Sequence, residues 1–168
     1  MRVFISGFMG AGKSTLLTKV ALLGSLNMYS FNDLDREIET DRSSTIAQII
    51  NLEGIEKFRE IEFAKLKEVA LRCNDNVISI GGGALHKSSL DWIRKIGGVV
   101  VFLDTPFEEC LRRIQSEKDG IRPLAKLSST ELRLLYDDRM NFYSKCDLKI
   151  RPDEEDKLIQ YLSSSTIK

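Results

Sequence analysis

The chain has 168 residues, with lysine plus arginine balanced against aspartate plus glutamate at 25 each. That length fits one domain with one buried core, and zero formal net charge removes the broad field that draws proteins to nucleic acid or membrane, so neither partner is expected. Cys73, Cys110 and Cys146 are too few and too scattered for a disulfide framework or a zinc site, and their odd number fits a reducing cytosol. The start carries no basic segment followed by an apolar run, and nothing approaches the roughly 18 apolar residues of a membrane span. A monomeric cytoplasmic protein, with residues 1–168 forming one domain, is the expectation.

The first element is the apolar strand Arg2–Ser6, and Gly7-Phe8-Met9-Gly10-Ala11-Gly12-Lys13-Ser14 follows it at once. This is G-x-x-x-x-G-K-[ST], the phosphate-binding loop. Its glycines let the backbone bring N–H groups close to an anion, Lys13 can reach the outer phosphates, and the Ser14 hydroxyl can join a magnesium ion. Thr15 and the leucines after it open a helix whose N-terminus adds partial positive charge behind the phosphates.

Strand-like runs then alternate with helical ones: Asn27–Phe31, Asn76–Ile80, Gly98–Leu103 and Leu148–Arg151. Val99 to Leu103 is apolar on both faces, as a strand buried in a parallel sheet should be. The alternation predicts an α/β sandwich with helices on both sides of the sheet. Thr105-Pro106-Phe107-Glu108 starts a helix, Ser128-Ser129-Thr130-Glu131 is a capping box before another, and Asp153 begins the last. Residues 115–129 are polar, broken by Gly120 and Pro123, and long for a plain connection; they form either a functional lid or a surface loop.

Three further stretches bear on chemistry. Asp33 and Asp35 end the second strand, where an extended backbone would point both carboxylates to one side, one near a metal and one near a substrate hydroxyl. The competing reading is that one of them caps a helix. Arg59 lies in a helical run from Ile55 to Leu71, beside the face carrying Phe58 and Ile61, with Glu62 one turn on. Such an arginine can present a rigid fork to a carboxylate, or it can be solvated helix surface. Gly81-Gly82-Gly83 follows the third strand, where backbone can lie against a small ligand. His86, the single histidine, is read as a surface or capping residue.

These motifs occur in order with Arg122-Pro123-Leu124 and Arg139-x-x-x-Tyr143, and together they resemble the shikimate kinase family over about Val3 to Leu162. The phosphate loop and the glycine triplet are shared with other small kinases; the Asp-x-Asp and Phe-Arg-x-x-Glu pair is more specific. The resemblance implies a P-loop NTPase of the nucleoside monophosphate kinase type, a three-layer sandwich around a five-stranded parallel sheet, with a lid at about 115–129. It implies ATP-dependent, magnesium-assisted phosphorylation of the 3-hydroxyl of shikimate in chorismate biosynthesis.

Residue by residue, it would place Gly10, Ala11, Gly12, Lys13, Ser14 and Thr15 on the ATP phosphates, with Ser14 on Mg²⁺ and Asp33 near the metal. Asp35 would bind the reacting hydroxyl of shikimate and is the candidate base for its proton. Arg59 and Arg139 would clamp the substrate carboxylate, and Gly82 would line the same pocket. Lys13 and Arg122, the latter as a lid arginine, would offset charge on the transferred group, and Arg151 with Pro152 falls where the family meets adenine.

The departures are few: Gly54-Ile55 where Gly-Glu is common, Ile80 before the triplet, Ala125 after Arg-Pro-Leu, and Cys146 where alanine is usual. None removes a proposed catalytic group. The rival readings are a related small kinase acting on gluconate or a nucleotide, and a nucleotide-binding module without catalysis.

Overall fold

The computed structural model describes residues 1–116 and 127–164. Five parallel strands, β1 (Arg2–Ser6), β2 (Ser30–Asp33), β3 (Asn76–Ser79), β4 (Val99–Leu103) and β5 (Leu148–Ile150), form one sheet in the order β2-β3-β1-β4-β5. The first strand of the chain is therefore the central one. Val3 stands opposite Val77 on one side and Val99 on the other. Every residue of β3 is buried, as required of a strand with helices over both faces.

The helices are α1 (Lys13–Ala21), α2 (Leu34–Arg42), α3 (Ile46–Glu53), α4 (Ile55–Leu71), α5 (Lys87–Lys95), α6 (Phe107–Ser116), α7 (Ser129–Tyr143) and α8 (Glu155–Ser164). Helix α4 runs over the residues expected from its periodicity, and its buried positions include Phe58, Leu66 and Val69. The Ser128 capping box is present: Ser128 Oγ accepts from Glu131 N–H, and the Glu131 carboxylate accepts from Ser128 N–H. A second capping box, Thr45 with Gln48, starts α3.

Three of the differences from the expected boundaries have a clear local cause. The second strand begins at Ser30 rather than Asn27, because a 3₁₀ turn over Gly24–Leu26 continues into Tyr29, whose N–H donates to Leu26 C=O. The last helix starts at Glu155, since Glu154 instead folds back, its carboxylate accepting from Arg151 N–H and from Lys157. Asp35 is not in extended backbone: the strand ends at Asp33 and Asp35 belongs to the first turn of α2. The two carboxylates reach the same cleft through a strand-to-helix corner, not through strand alternation.

Candidate active site

At the C-terminal end of the central strands lies a cleft of about 920 Å³. Open α/β sheets place ligands at this edge because the loops leaving neighbouring strands diverge there. One wall is the phosphate loop. Gly10 and Gly12 adopt φ of 76° and 98°, conformations that need glycine. A Cβ on Gly10 would also stand 2.8 Å from the Cys110 carbonyl. Helix α1 starts directly after Gly12 with no side-chain cap, which leaves its first-turn N–H groups for an anion. Lys13 Nζ meanwhile donates to the Gly7 and Phe8 carbonyls at 2.9 and 3.1 Å.

The back of this loop is tied to α6 and the turn before it. The Ala11 carbonyl accepts from buried Thr105 Oγ1 at 2.8 Å and from Arg113 Nη1 at 3.0 Å, and Arg113 Nη1 also reaches Gly10 C=O at 3.0 Å. Arg113 is itself braced by Glu109. Thr105, in the segment expected to start α6, thus ties that turn to the phosphate loop. Neither contact was foreseen, since a side chain bonding to a carbonyl some 100 residues away leaves no local pattern. Cys110 lies beneath the loop, and burial pushes its thiol up to about 11, so it stays protonated.

Ser14 Oγ donates to Asp33 Oδ2 at 2.5 Å, which brings a hydroxyl and a carboxylate together at the mouth of the phosphate loop. Asp33 Oδ1 also accepts from the N–H groups of Asp35 and Arg36. Asp33 thus caps α2 and also lines the cleft. Ser14 and Asp33 offer the hard oxygen ligands that magnesium takes. Among the described residues no group of three or more histidines, cysteines or carboxylates could hold a metal.

The opposite wall carries two arginines. Arg59 Nη1 donates to Glu62 Oε2 at 2.5 Å, and the guanidinium lies 5.3 Å over the Phe58 ring. Arg139, on α7, is buried and stacks 5.4 Å over Phe8 of the phosphate loop, and its Nη1 has no hydrogen-bond partner. Burial lowers the Arg139 pKa, and the nearby positive charge of Arg59 acts in the same direction. Glu62 shifts the other way, its pKa raised by burial against the pull of Arg59. An unpaired buried N–H beside a second guanidinium is a pocket that gains by accepting a carboxylate.

The glycine triplet fits between these groups. A Cβ on Gly81 would meet Glu62 and Asp35, at 2.6 and 3.1 Å from their carboxylate oxygens. On Gly82 it would lie 3.0 Å from Arg139 Nη1 and 3.1 Å from Met9 N; on Gly83, 2.7 Å from Arg59 Cζ. Each glycine makes room for a different member of the site. The structure thus brings Lys13, Ser14, Asp33, Asp35, Arg59, Gly82 and Arg139 to one cleft. Arg151 is exposed just past β5, and its neighbour Pro152, with Glu155, lines the cleft. Arg122 and most of the expected lid lie outside the described residues.

A family model for shikimate kinase matches residues 9–165. This chain belongs to the shikimate kinase family. The shikimate kinase of Aquifex aeolicus is 38% identical over 159 residues, covering 92% of this chain and 90% of that one. A crystallised shikimate kinase from Acinetobacter baumannii, in complex with shikimate, superposes with a TM-score of 0.84 at 32% identity, over 99% of this chain and 95% of that one. A gluconokinase from Sinorhizobium meliloti shares the fold alone, with a TM-score of 0.55 at 16% identity over 89% of this chain and 80% of that one. As a shikimate kinase family member the chain is an ATP-using small-molecule kinase, and among its described residues no helix is long and apolar enough to cross a membrane.

Proposed function

We propose that the cleft transfers the γ-phosphoryl group of ATP to the 3-hydroxyl of shikimate, giving shikimate 3-phosphate and ADP for chorismate biosynthesis. The observation that carries this reading is the pocket of Arg59 and the unpaired Arg139 Nη1, lined also by Asp35 and bounded on its other wall by the phosphate loop. Such a pocket suits an acceptor bearing a carboxylate at one end and a hydroxyl at the other.

Phosphoryl transfer needs little covalent help, so positioning and charge compensation do most of the work. The backbone of Gly10 to Thr15 would hold the phosphates while Lys13 follows the charge moving onto the transferred group. Arg59 and Arg139 would fix the shikimate carboxylate, with Gly82 against the ring. Asp35 would then aim the 3-hydroxyl in line and accept its proton. Ser14 would hold magnesium directly, with Asp33 close by. Bound magnesium neutralises phosphate charge. We assign Arg122 to the phosphates from its place in Arg122-Pro123-Leu124, and Arg151 with Pro152 to the adenine end. The three free cysteines and the demand for ATP support a cytoplasmic setting, and we take the protein to be a monomer, which light scattering on the purified chain would check.

The test is ADP release coupled to a spectroscopic readout, with ATP and magnesium, in the presence and absence of shikimate. The expected result is release that depends on shikimate and on magnesium, and that neither gluconate nor a nucleoside monophosphate supports. Lys13→Ala and Asp35→Ala should abolish turnover, with Asp35→Ala still binding ATP. Shikimate-independent release, or full activity in Asp35→Ala, would overturn the assignment.

A further inference from the structure

The hydroxyl of Tyr143 donates to the Gly82 carbonyl at 2.5 Å, spanning 61 positions of sequence. Tyr143 is wholly buried, and its ring stacks on Phe102 of β4 with centroids 5.0 Å apart and planes 21° from parallel. It ends α7, one turn after Arg139, so both side chains leave the same face of that helix. The same hydroxyl interacts with the Arg139 guanidinium. One phenol therefore contacts both the glycine loop and the buried arginine of the acceptor pocket. Gly82 has no side chain to resist rotation, and a Cβ there would sit tightly against Arg139 Nη1 and Met9 N, at 3.0 and 3.1 Å. Its peptide orientation must be imposed from outside, and the Tyr143 hydroxyl is the group that does so.

We propose that Tyr143 is a positioning residue for the acceptor, holding the Gly82–Gly83 peptide and Arg139 in the geometry that receives the shikimate carboxylate. The inference rests on the assignment of Arg139 and Gly82 to that carboxylate. Because the Gly82 carbonyl is held by Tyr143, the Gly83 N–H on the other side of the same trans peptide is fixed in the opposite direction. The ring supplies stability through Phe102; the oxygen supplies acceptor geometry. These two contributions separate in different measurements.

The experiment compares steady-state kinetics of Tyr143→Phe, Phe102→Leu and Arg139→Lys with the unaltered enzyme, varying shikimate and ATP in turn. Tyr143→Phe removes one oxygen and keeps the stacked ring. It should raise the KM for shikimate about tenfold while leaving the KM for ATP within about twofold. Phe102→Leu retains the hydroxyl but loosens the ring that aims it, so it should shift the shikimate KM in the same direction by less and lower the melting temperature by more. If Tyr143→Phe fails to fold, Phe102→Leu still decides. A wild-type shikimate KM in whichever of the two folds, or equal losses for shikimate and ATP, would overturn the inference. Arg139→Lys tests the underlying assignment: an unchanged shikimate KM there would remove the pocket itself, whereas a raised one beside a normal Tyr143→Phe would reject Tyr143 alone.

Discussion

Arg59 and Glu62 form an ion pair in which the anion is hidden and the cation is not: the side chains are 3% and 28% exposed, with Glu62 the buried member. A carboxylate fixed beneath the helix surface thus acts as an anchor that sets where the guanidinium tip can go. The anchor is costly, since burial disfavours its charged form and raises its pKa, while Arg59 pulls in the opposite direction. Substituting Glu62→Gln should leave Arg59 in place but free to rotate. The expected outcome is a shikimate KM raised about tenfold, from a lost charge-assisted hydrogen bond, with ATP binding unaltered. Initial-rate kinetics with each substrate varied separately would measure it.

Substitutions in the glycine triplet should separate by substrate. Gly83→Ala presses first on the Arg59 guanidinium, the end of a flexible side chain, so it should raise the shikimate KM and spare ATP. Gly82→Ala meets Met9 N at 3.1 Å and Gly7 O at 3.2 Å, which are backbone atoms of the phosphate loop, as well as Arg139. It should weaken both substrates and cost stability. Nucleotide binding by calorimetry, free of acceptor, distinguishes the two variants directly.

Thr105→Val keeps the shape of a buried side chain while deleting its donor to the Ala11 carbonyl. Arg113 still holds that carbonyl, so the loop should loosen rather than collapse. A neutral hydrogen bond contributes about 1 kcal/mol, which corresponds to a KM for ATP roughly fivefold higher. Thr105→Ser, which restores the hydroxyl, should recover most of the loss.

His86 precedes α5, its ring set edge-on against Phe63 with centroids 5.7 Å apart. Burial lowers its pKa from the ordinary 6.5, and the nearby charge of Arg59 adds to this. A base whose folded pKa is depressed contributes stability above its unfolded pKa and loses it as pH falls through the folded value. Melting temperatures should therefore drop between neutrality and about pH 5 by more in the unaltered protein than in His86→Gln. Parallel pH profiles for the two would show that His86 takes no part in the decline.

The features legible in the sequence are those confined to one element. The phosphate loop declares itself because its glycines, lysine and serine are consecutive, and the Arg59–Glu62 pair because it spans one helical turn. What the sequence hides is the bracing between elements. Thr105, Arg113 and Tyr143 all bond to backbone carbonyls, which every residue possesses, and their partners lie between 61 and 103 positions away. Asp35 shows a subtler limit. Its presence in the cleft was expected from strand alternation, yet the helix begins one residue too early for that geometry, because Asp33 captures the N–H groups of Asp35 and Arg36.

The strand that carries the phosphate loop is synthesised before either of its neighbours in the sheet. β1 pairs with β3 from Asn76 and with β4 from Val99, so a nascent chain holds five mostly apolar residues with both edges bare until β3 emerges, and with one edge bare until β4 follows. Pairings of such long sequence separation form slowly, and open strand edges invite contacts between chains. Recovery of ATP affinity during refolding should accordingly lag behind helix formation, and concentrated chains should be most vulnerable to association in that interval.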